Sequence, residues 1–399
     1  MDWLFNQFPA FQKHGGQAYK PGLSHTLGLL SIFDIDFEKL KYIHVAGTNG
    51  KGSVCSIAAS LLTEKNHHVG LFTSPHLFDF RERIRVNGKM ISKQEVVEFC
   101  EMIRRNELDF KPSFFEITFV MAIRHFLSQN CDYVVLETGL GGRLDATNVV
   151  KPLISIITNI GLDHQQYLGN TLNEIAVEKA GIIKDHTPLV IGKRQEEIYP
   201  IFEELARIKK APIHIAQHYY NNDHLPNYQL ENINTAITAI QKIGIKCSEQ
   251  NIQLAISNLN ENTGYQKRME IIHENPKIIL DVSHNKEGIE QTLGEVHQIC
   301  SGKVYCILGS TKEREIDTSF LDIFKNTDLY FCTFENNRSK TKKDWEAINL
   351  RCQTTIPIEL NLDRIFNKIK DKMTSDDLLI VTGSFFLLAD LNLISKSET

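Results

Sequence analysis

Between Lys41 and Gly192, short apolar runs rich in β-branched residues alternate with longer stretches whose apolar positions recur at helical spacing. Lys41 to Val45, Val69 to Thr73, Tyr133 to Glu137, Leu153 to Thr158 and Leu189 to Gly192 are the strand candidates. Helical patterns lie between most of them, so the alternation predicts an α/β domain with a largely parallel sheet. Ligands of such sheets gather at the carboxyl ends of the strands, and the informative motifs of this chain all stand at such ends.

The apolar pattern lapses around Asn260 to Lys267, in Asn-Glu-Asn-Thr-Gly-Tyr-Gln-Lys, and a new alternating series begins with Ile278 to Val282. Strand candidates recur at Lys303 to Leu308, Leu329 to Phe334 and Leu378 to Thr382, which predicts a second, smaller α/β sheet. The boundary is placed at 264/265. A chain of 399 residues exceeds the usual size of one hydrophobic core, so two domains suit the length as well as the pattern.

Composition adds exclusions. A hydrophobic fraction of 42% and a charged fraction of 23% leave no room for a long disordered or fibrous segment. The net charge of -5 gives no sign of nucleic-acid binding, and no stretch is apolar for long enough to span a bilayer. The eight cysteines are scattered without a Cys-x-x-Cys pair and read as reduced core thiols. Met1 to Lys13 lacks the basic start and continuous apolar stretch of a secretory signal. The expected setting is the cytoplasm.

The densest chemistry lies in His44-Val-Ala-Gly-Thr-Asn-Gly-Lys-Gly-Ser-Val54, a glycine-rich turn between an apolar strand and a helical run from Ser53 to Leu62. Gly47, Gly50 and Gly52 let the backbone turn tightly and aim amide hydrogens inward, the helix N-terminus adds positive potential, and Lys51 supplies a mobile cation. This is a phosphate cradle for a nucleoside triphosphate. Its spacing departs from the general phosphate-loop pattern, with Val45 at the first glycine position and Gly52 between Lys51 and Ser53. An Asn49-Gly50 surface turn is the alternative; the strand-loop-helix flanks favour the cradle.

Further candidates sit after other strands. Thr73-Ser-Pro-His76 reads as a solvated turn or a ligand loop, and Arg81, Arg83 and Arg85 alternate as on a strand with one basic face. Glu137 ends an apolar strand ahead of three glycines, where a carboxylate can reach a phosphate-bound magnesium. Thr158-Asn-Ile-Gly-Leu-Asp-His164 repeats the arrangement. Glu174 to Lys184 predicts a helix ending near Gly181, where Lys179 complements the helix dipole. In the second half, Asp281, His284 and Asn285 follow a strand; metal binding, base catalysis and loop hydrogen bonding all suit that spacing.

Taken in order, Gly47 to Ser53, Thr73 to His76, Glu137 to Asn148, Asp163-His164, Lys179 to Ile182 and Asp281 to Asn285 resemble the folylpolyglutamate synthase and dihydrofolate synthase family of the Mur ligase superfamily. The resemblance covers nearly the whole chain. It implies an N-terminal phosphate-loop-type ATPase domain that also binds folate, residues 1–264, and a smaller C-terminal Rossmann-like glutamate-binding domain, residues 265–399. The implied reaction is ATP-dependent amide formation between a pterin-linked carboxylate and L-glutamate through an acyl phosphate.

Position by position, the resemblance implies that Asn49, Gly50, Lys51, Gly52 and Ser53 bind the ATP phosphates, and that Ser74, Glu137 and His164 bind magnesium. Lys179 falls on the family's carbamylated lysine, which helps hold a second magnesium and replaces the helix-dipole reading. Tyr228 to Asn232 resembles the family's His-Gln-x-x-Asn segment near adenine, with Tyr228 in place of His and Asn232 as the nucleotide contact. Arg268 resembles the arginine of a Gly-Arg pair near ATP, with Lys267 in place of Gly; Lys286 stands where the family has Pro. Asp281 and His284 are implied to approach the phosphates and the incoming glutamate, with domain closure over ATP, and Ser384 to contact glutamate. Phe114, Phe115 and Glu116, with Leu144, Asp145 and Ala146, match segments facing the pteroate or folate; one of the two phenylalanines would stack on the ring.

The implied ligands are thus ATP, L-glutamate, dihydropteroate or folates and two magnesium ions, with no nucleic-acid or membrane partner, acting on a monomer. Two rivals remain. Another Mur-type ligase would add an amino acid to a nucleotide-sugar peptide and usually carries an extra domain ahead of the loop. A nucleotide-binding switch would bind ATP without glutamate-stimulated phosphate release.

Overall fold

The computed structural model describes residues 22–391. Those up to Tyr265 form one compact unit and those from Gln266 onward a second.

The first unit is built on eight strands: β1 (Tyr42–Ala46), β2 (Val69–Phe72), β3 (Ile84–Val86), β4 (Lys89–Met90), β5 (Tyr133–Glu137), β6 (Ile154–Ile157), β7 (Leu189–Ile191) and β8 (Ile213–Ile215), in the order β4-β3-β2-β5-β1-β6-β7-β8. From β2 to β8 neighbours run parallel, while β3 and β4 form an antiparallel edge. Every residue of β1 is buried. Its side chains alternate between two cores: Ile43 and Val45 join Val54, Ile57 and Leu61 of helix Lys51–Thr63 and Ile233 and Ile237 of helix Asn227–Lys242, while Tyr42 joins the phenylalanine-rich core of helix Phe114–Ser128. A strand covered on both faces has no use for polar alternation, which is why the sequence reads there as a continuous apolar run.

The second unit holds β9 (Glu270–Glu274), β10 (Lys277–Leu280), β11 (Val304–Gly309), β12 (Asp328–Cys332), β13 (Ile358–Glu359) and β14 (Leu378–Thr382), in the order β13-β12-β11-β14-β10-β9. All neighbours are parallel except β9 against β10. Its core centres on Trp345, stacked 4.1 Å from Phe331.

Both sheets match the α/β expectation. The pattern did not pick out β8, β9 and β13, edge strands that are short or polar and so leave little periodicity to read. The basic strand through Arg81, Arg83 and Arg85 is corrected. Phe80–Arg83 is a 3₁₀ turn, because Asp79 and Glu82 cap its start reciprocally, and of the three only Arg85 lies in β3.

Candidate active site

β1 delivers the chain into the loop 47–50 and helix Lys51–Thr63 follows at once. Gly47 and Gly50 have φ of +151° and +80°, and a side chain on either would overlap Thr158 Oγ1 or Asn232 Oδ1 respectively, so these two positions require glycine. Gly52 is under no such constraint; a Cβ there would sit 3.5 Å from a Glu137 oxygen, in ordinary contact. The loop is stitched to the end of the neighbouring strand β6. Thr48 N donates to Asn159 O (2.8 Å), Asn49 N to Asn159 Oδ1 (2.9 Å) and Thr158 Oγ1 to Asn49 O (2.6 Å), while Thr48 Oγ1 accepts from Gly161 N (2.9 Å). Its shape is therefore set before any ligand arrives, with Lys51 Nζ spanning the loop to Thr48 O at 3.1 Å. Ser53, in the first turn, is buried, and its Oγ lies 3.1 Å from Tyr265 OH. Asn232 and Tyr228 stand one turn apart on helix Asn227–Lys242.

Glu137 closes β5, parallel to β1, and its Oε2 accepts from Ser74 N at 2.9 Å, which brings two of the expected magnesium ligands side by side. His164 follows β6 in a left-handed conformation, its N–H donating to Asp163 Oδ1. Among the described residues no three His, Cys, Asp or Glu side chains cluster as a metal site. Lys179, in the last turn of Leu172–Ala180, is 4% exposed and donates to Gly47 O at 2.7 Å. Burial lowers its pKa to about 7, Lys51 adds to the effect, and Asp163 and Asp145 oppose it.

Arg83 belongs to this neighbourhood, and sequence reasoning did not single it out from Arg81 and Arg85. It is 4% exposed, its Nε donates to His76 Nδ1 at 2.9 Å and its guanidinium lies 5.6 Å from the Phe114 ring centroid. Burial brings its pKa down to about 10, against the pull of Glu137, and burial with the Arg83 charge brings that of His76 to about 3, so His76 stays neutral. The usable signal was local: Arg83 directly precedes the apolar Ile84 that opens β3, whereas Arg81 has Asp79 two residues away and pairs with it, half-buried.

The segments expected to face the pteroate or folate lie on one side of the sheet. Ser113 and Glu116 form a capping box that starts helix Phe114–Ser128. This uses one Glu116 oxygen, while the other lies 3.6 Å from His25 Nδ1. Phe114 is buried against Phe80 in the core, whereas Phe115, beside Phe72 and beneath Gly139, keeps partial exposure. Leu144 is half-buried, Asp145 and Ala146 buried. The Asp145 carboxylate accepts from Gly139 N, Leu140 N, Thr147 N and Thr147 Oγ1. Burial raises its pKa and these donors oppose the rise.

In the second unit, Asp281 follows β10 and is 1% exposed. Its Oδ2 accepts from Met269 N (2.9 Å) and its Oδ1 from Ser283 N (2.8 Å) and Thr292 Oγ1 (3.2 Å), so the carboxylate pins the strand end to the 267–269 turn. Lys267 and Met269, on either side of Arg268, both have left-handed φ, 58° and 50°, which is the conformation a glycine at 267 adopts without strain. Arg268 and His284 flank the Phe385 ring, at 5.4 and 5.8 Å. Asn285 caps helix Lys286–Ile299 and Ser384 caps Phe385–Asp390. The structure thus gathers Arg268, Asp281, His284 and Ser384 at the adjoining ends of β10 and β14.

Two largely parallel sheets, the first with a glycine-rich loop between its central strand and a helix and with buried ionisable groups around it, suit an ATP-dependent ligase of the Mur type. The Mur ligase middle domain matches residues 45–257, and the Mur ligase glutamate ligase domain residues 267–385. The chain is 30% identical over 410 residues to a Bacillus subtilis dihydrofolate synthase/folylpolyglutamate synthase, covering 93% of this chain and 94% of the relative. By structure it is similar to E. coli FolC in complex with DHPP and ADP, with 26% identity, coverage of 100% and 97% and a TM-score of 0.87. It also resembles a bifunctional folylpolyglutamate synthase/dihydrofolate synthase with Mn, AMPPNP and L-glutamate bound, at 25% identity, 96% and 95% coverage and a TM-score of 0.82. The chain belongs to the dihydrofolate synthase/folylpolyglutamate synthase family.

Proposed function

We propose that this protein adds L-glutamate to dihydropteroate, to the γ-carboxylate of folates, or to both, with ATP converting the acceptor carboxylate to an acyl phosphate that the glutamate amine then attacks. The observation that carries the reading is the cradle: a loop with two obligate glycines, locked to the end of β6 and bordered by Lys51, Lys179, Glu137 and Ser74. Phosphoryl transfer needs positioning and electrostatics rather than covalent help, and this chain has both in place.

In this reading residues 1–264 bind ATP and the acceptor, and residues 265–399 bind glutamate. Asn49 to Ser53 hold the phosphates and Asn232 the nucleotide. Ser74, Glu137 and His164 would hold magnesium, which supplies charge neutralisation at the phosphates. Lys179, buried and with its amine eased towards neutrality, is the residue to carry a carbamate for a second magnesium. Phe115 stacks on the pterin, Glu116, Leu144, Asp145 and Ala146 shape its cleft, and Arg83 neutralises the acceptor carboxylate. Asp281 holds the turn that presents Arg268 to ATP, while His284 and Ser384 meet glutamate. All eight cysteines are free thiols and no described helix is long and apolar enough to cross a membrane, which supports action in the cytoplasm. One chain supplies every motif, which supports a monomer.

The test is product mass after incubation with ATP, magnesium and L-glutamate, with 7,8-dihydropteroate, tetrahydrofolate or neither. One added glutamyl unit on both acceptors identifies a bifunctional enzyme, and on one alone a specialised enzyme. ATP binding without any glutamyl product favours the nucleotide switch.

A further inference from the structure

His44 occupies the middle of β1, fully buried, between Ile43 and Val45. An imidazole there is a liability. Its Nδ1 has no hydrogen-bond partner, and an orphaned buried acceptor costs stability that an apolar side chain would not. Its Nε2 lies 2.8 Å from Thr147 Oγ1, and Thr147 Oγ1 lies 2.5 Å from Asp145 Oδ1. Asp145 already accepts three backbone N–H groups, which favour the carboxylate, so the single hydroxyl proton of Thr147 is directed at Asp145. Thr147 Oγ1 must then accept from His44, which assigns the Nε2–H tautomer and leaves Nδ1 as the bare lone pair. Burial, aided by Lys184, pulls the His44 pKa to about 3, so the ring stays a neutral donor.

The chain of donors runs from the strand core to the acceptor cleft. His44 gives to Thr147 and Thr147 to Asp145, whose other oxygen takes Gly139 N (2.9 Å) and Leu140 N (3.0 Å). Gly139 in turn rests on Phe115, with a Cβ there falling 2.6 Å from Phe115 Cζ. With every Asp145 acceptor site engaged, the carboxylate sets the height of the glycine loop over the aromatic ring. We infer that His44 and Thr147 are positioning residues for the acceptor substrate, a buried relay that fixes the Asp145 loop against Phe115 and so sets affinity for the flat heteroaromatic acceptor. The inference rests on the reading of the 139–146 loop and Phe115 as the acceptor cleft.

Steady-state kinetics of the full-length enzyme test it, using Thr147→Val, which removes both links at constant shape, Thr147→Ser, which restores them, and His44→Leu. Thr147→Val is expected to raise KM for the acceptor about tenfold or more while KM for ATP and glutamate stays within about twofold, with recovery in Thr147→Ser. His44→Leu is expected to raise acceptor KM without lowering Tm, a split that a merely structural histidine does not give; it also serves if Thr147→Val does not fold. Unchanged acceptor KM in either folded variant, or an equal rise in all three KM values, overturns the inference. A wild-type enzyme that makes no glutamyl product overturns the proposed function instead.

Discussion

The carboxyl ends of β1 and β10 carry the two halves of the candidate machinery, and they are built on opposite principles. Beyond β1 the loop shape comes mainly from backbone and neutral side chains, with Gly47 and Gly50 turning against Thr158 and Asn232 and Asn159 holding Thr48 and Asn49, while Lys51 and Lys179 add one bond each to Thr48 O and Gly47 O. The ionisable groups Lys179, Arg83, His76 and Glu137 are left around it, partly or wholly buried, and burial drags the first three well below their ordinary pKa values. Beyond β10 a charge does the structural work. Asp281 uses its carboxylate on Met269, Ser283 and Thr292, the Asn285 amide oxygen and the Ser384 hydroxyl cap helix starts, and Arg268 and His284 stand on either side of Phe385. In the proposed function the first end offers electrostatic potential to a polyphosphate. The second stores geometry for two side chains.

The sharpest break of that contrast is Lys51→Ala, which removes a charge and no structural tie beyond the Thr48 bond. Turnover should fall by about a hundredfold to a thousandfold with Tm nearly unchanged. Near-normal glutamate-dependent ATP hydrolysis by that variant contradicts the role of the cradle. Gly47→Ala should do the reverse and act through stability, losing about 2–3 kcal/mol in denaturant unfolding because the new methyl overlaps Thr158.

Lys179 sharpens the electrostatic half. Its pKa is about 7 folded against 10.5 for the free side chain. Below about pH 7 both states bind the proton and the folded protein bears the full cost of a buried charge. Between 7 and 10.5 only the unfolded state keeps the proton, so stability from this group rises with pH across that window. Lys179→Met should therefore stabilise the metal-free protein by about 2 kcal/mol at pH ~6 and progressively less towards pH ~10. A gain that does not vary with pH would show that the amine titrates normally. The smallest effect belongs to the second half. Lys267→Gly relieves a left-handed lysine and gives up a 3.4 Å contact with Glu270, for a net gain of about 0.5 kcal/mol, visible as a slightly higher Tm.

The central strands of both sheets were legible because burial on both faces writes itself as apolar runs; β5 and β14 fall on the expected residues, Tyr133–Glu137 and Leu378–Thr382. Edge strands carry no such imprint. At the site, glycine spacing revealed the tight strand-loop-helix turn, because local backbone geometry is encoded locally. Lys179 was different: in sequence it reads as a helix-terminal cation, and its burial against Gly47 O arises from a contact between residues far apart in the chain. The same holds for His44, whose partner Thr147 lies beyond β5, whereas Arg83 and His76 are only seven residues apart and what the sequence hides there is their burial. Asp281 and Asp145 are ligand contacts by family resemblance, the strand-end position of Asp281 alone leaving loop hydrogen bonding open, and only the fold reveals how many protein donors each one serves.

The most direct test of the account follows the acceptor's oxygen. With the acceptor carboxylate labelled with heavy oxygen, turnover with ATP and L-glutamate should place one labelled oxygen in each inorganic phosphate released, as transfer of the γ-phosphoryl group to that carboxylate requires. Unlabelled phosphate, or label recovered in AMP, would contradict an acyl phosphate formed in the β1 cradle.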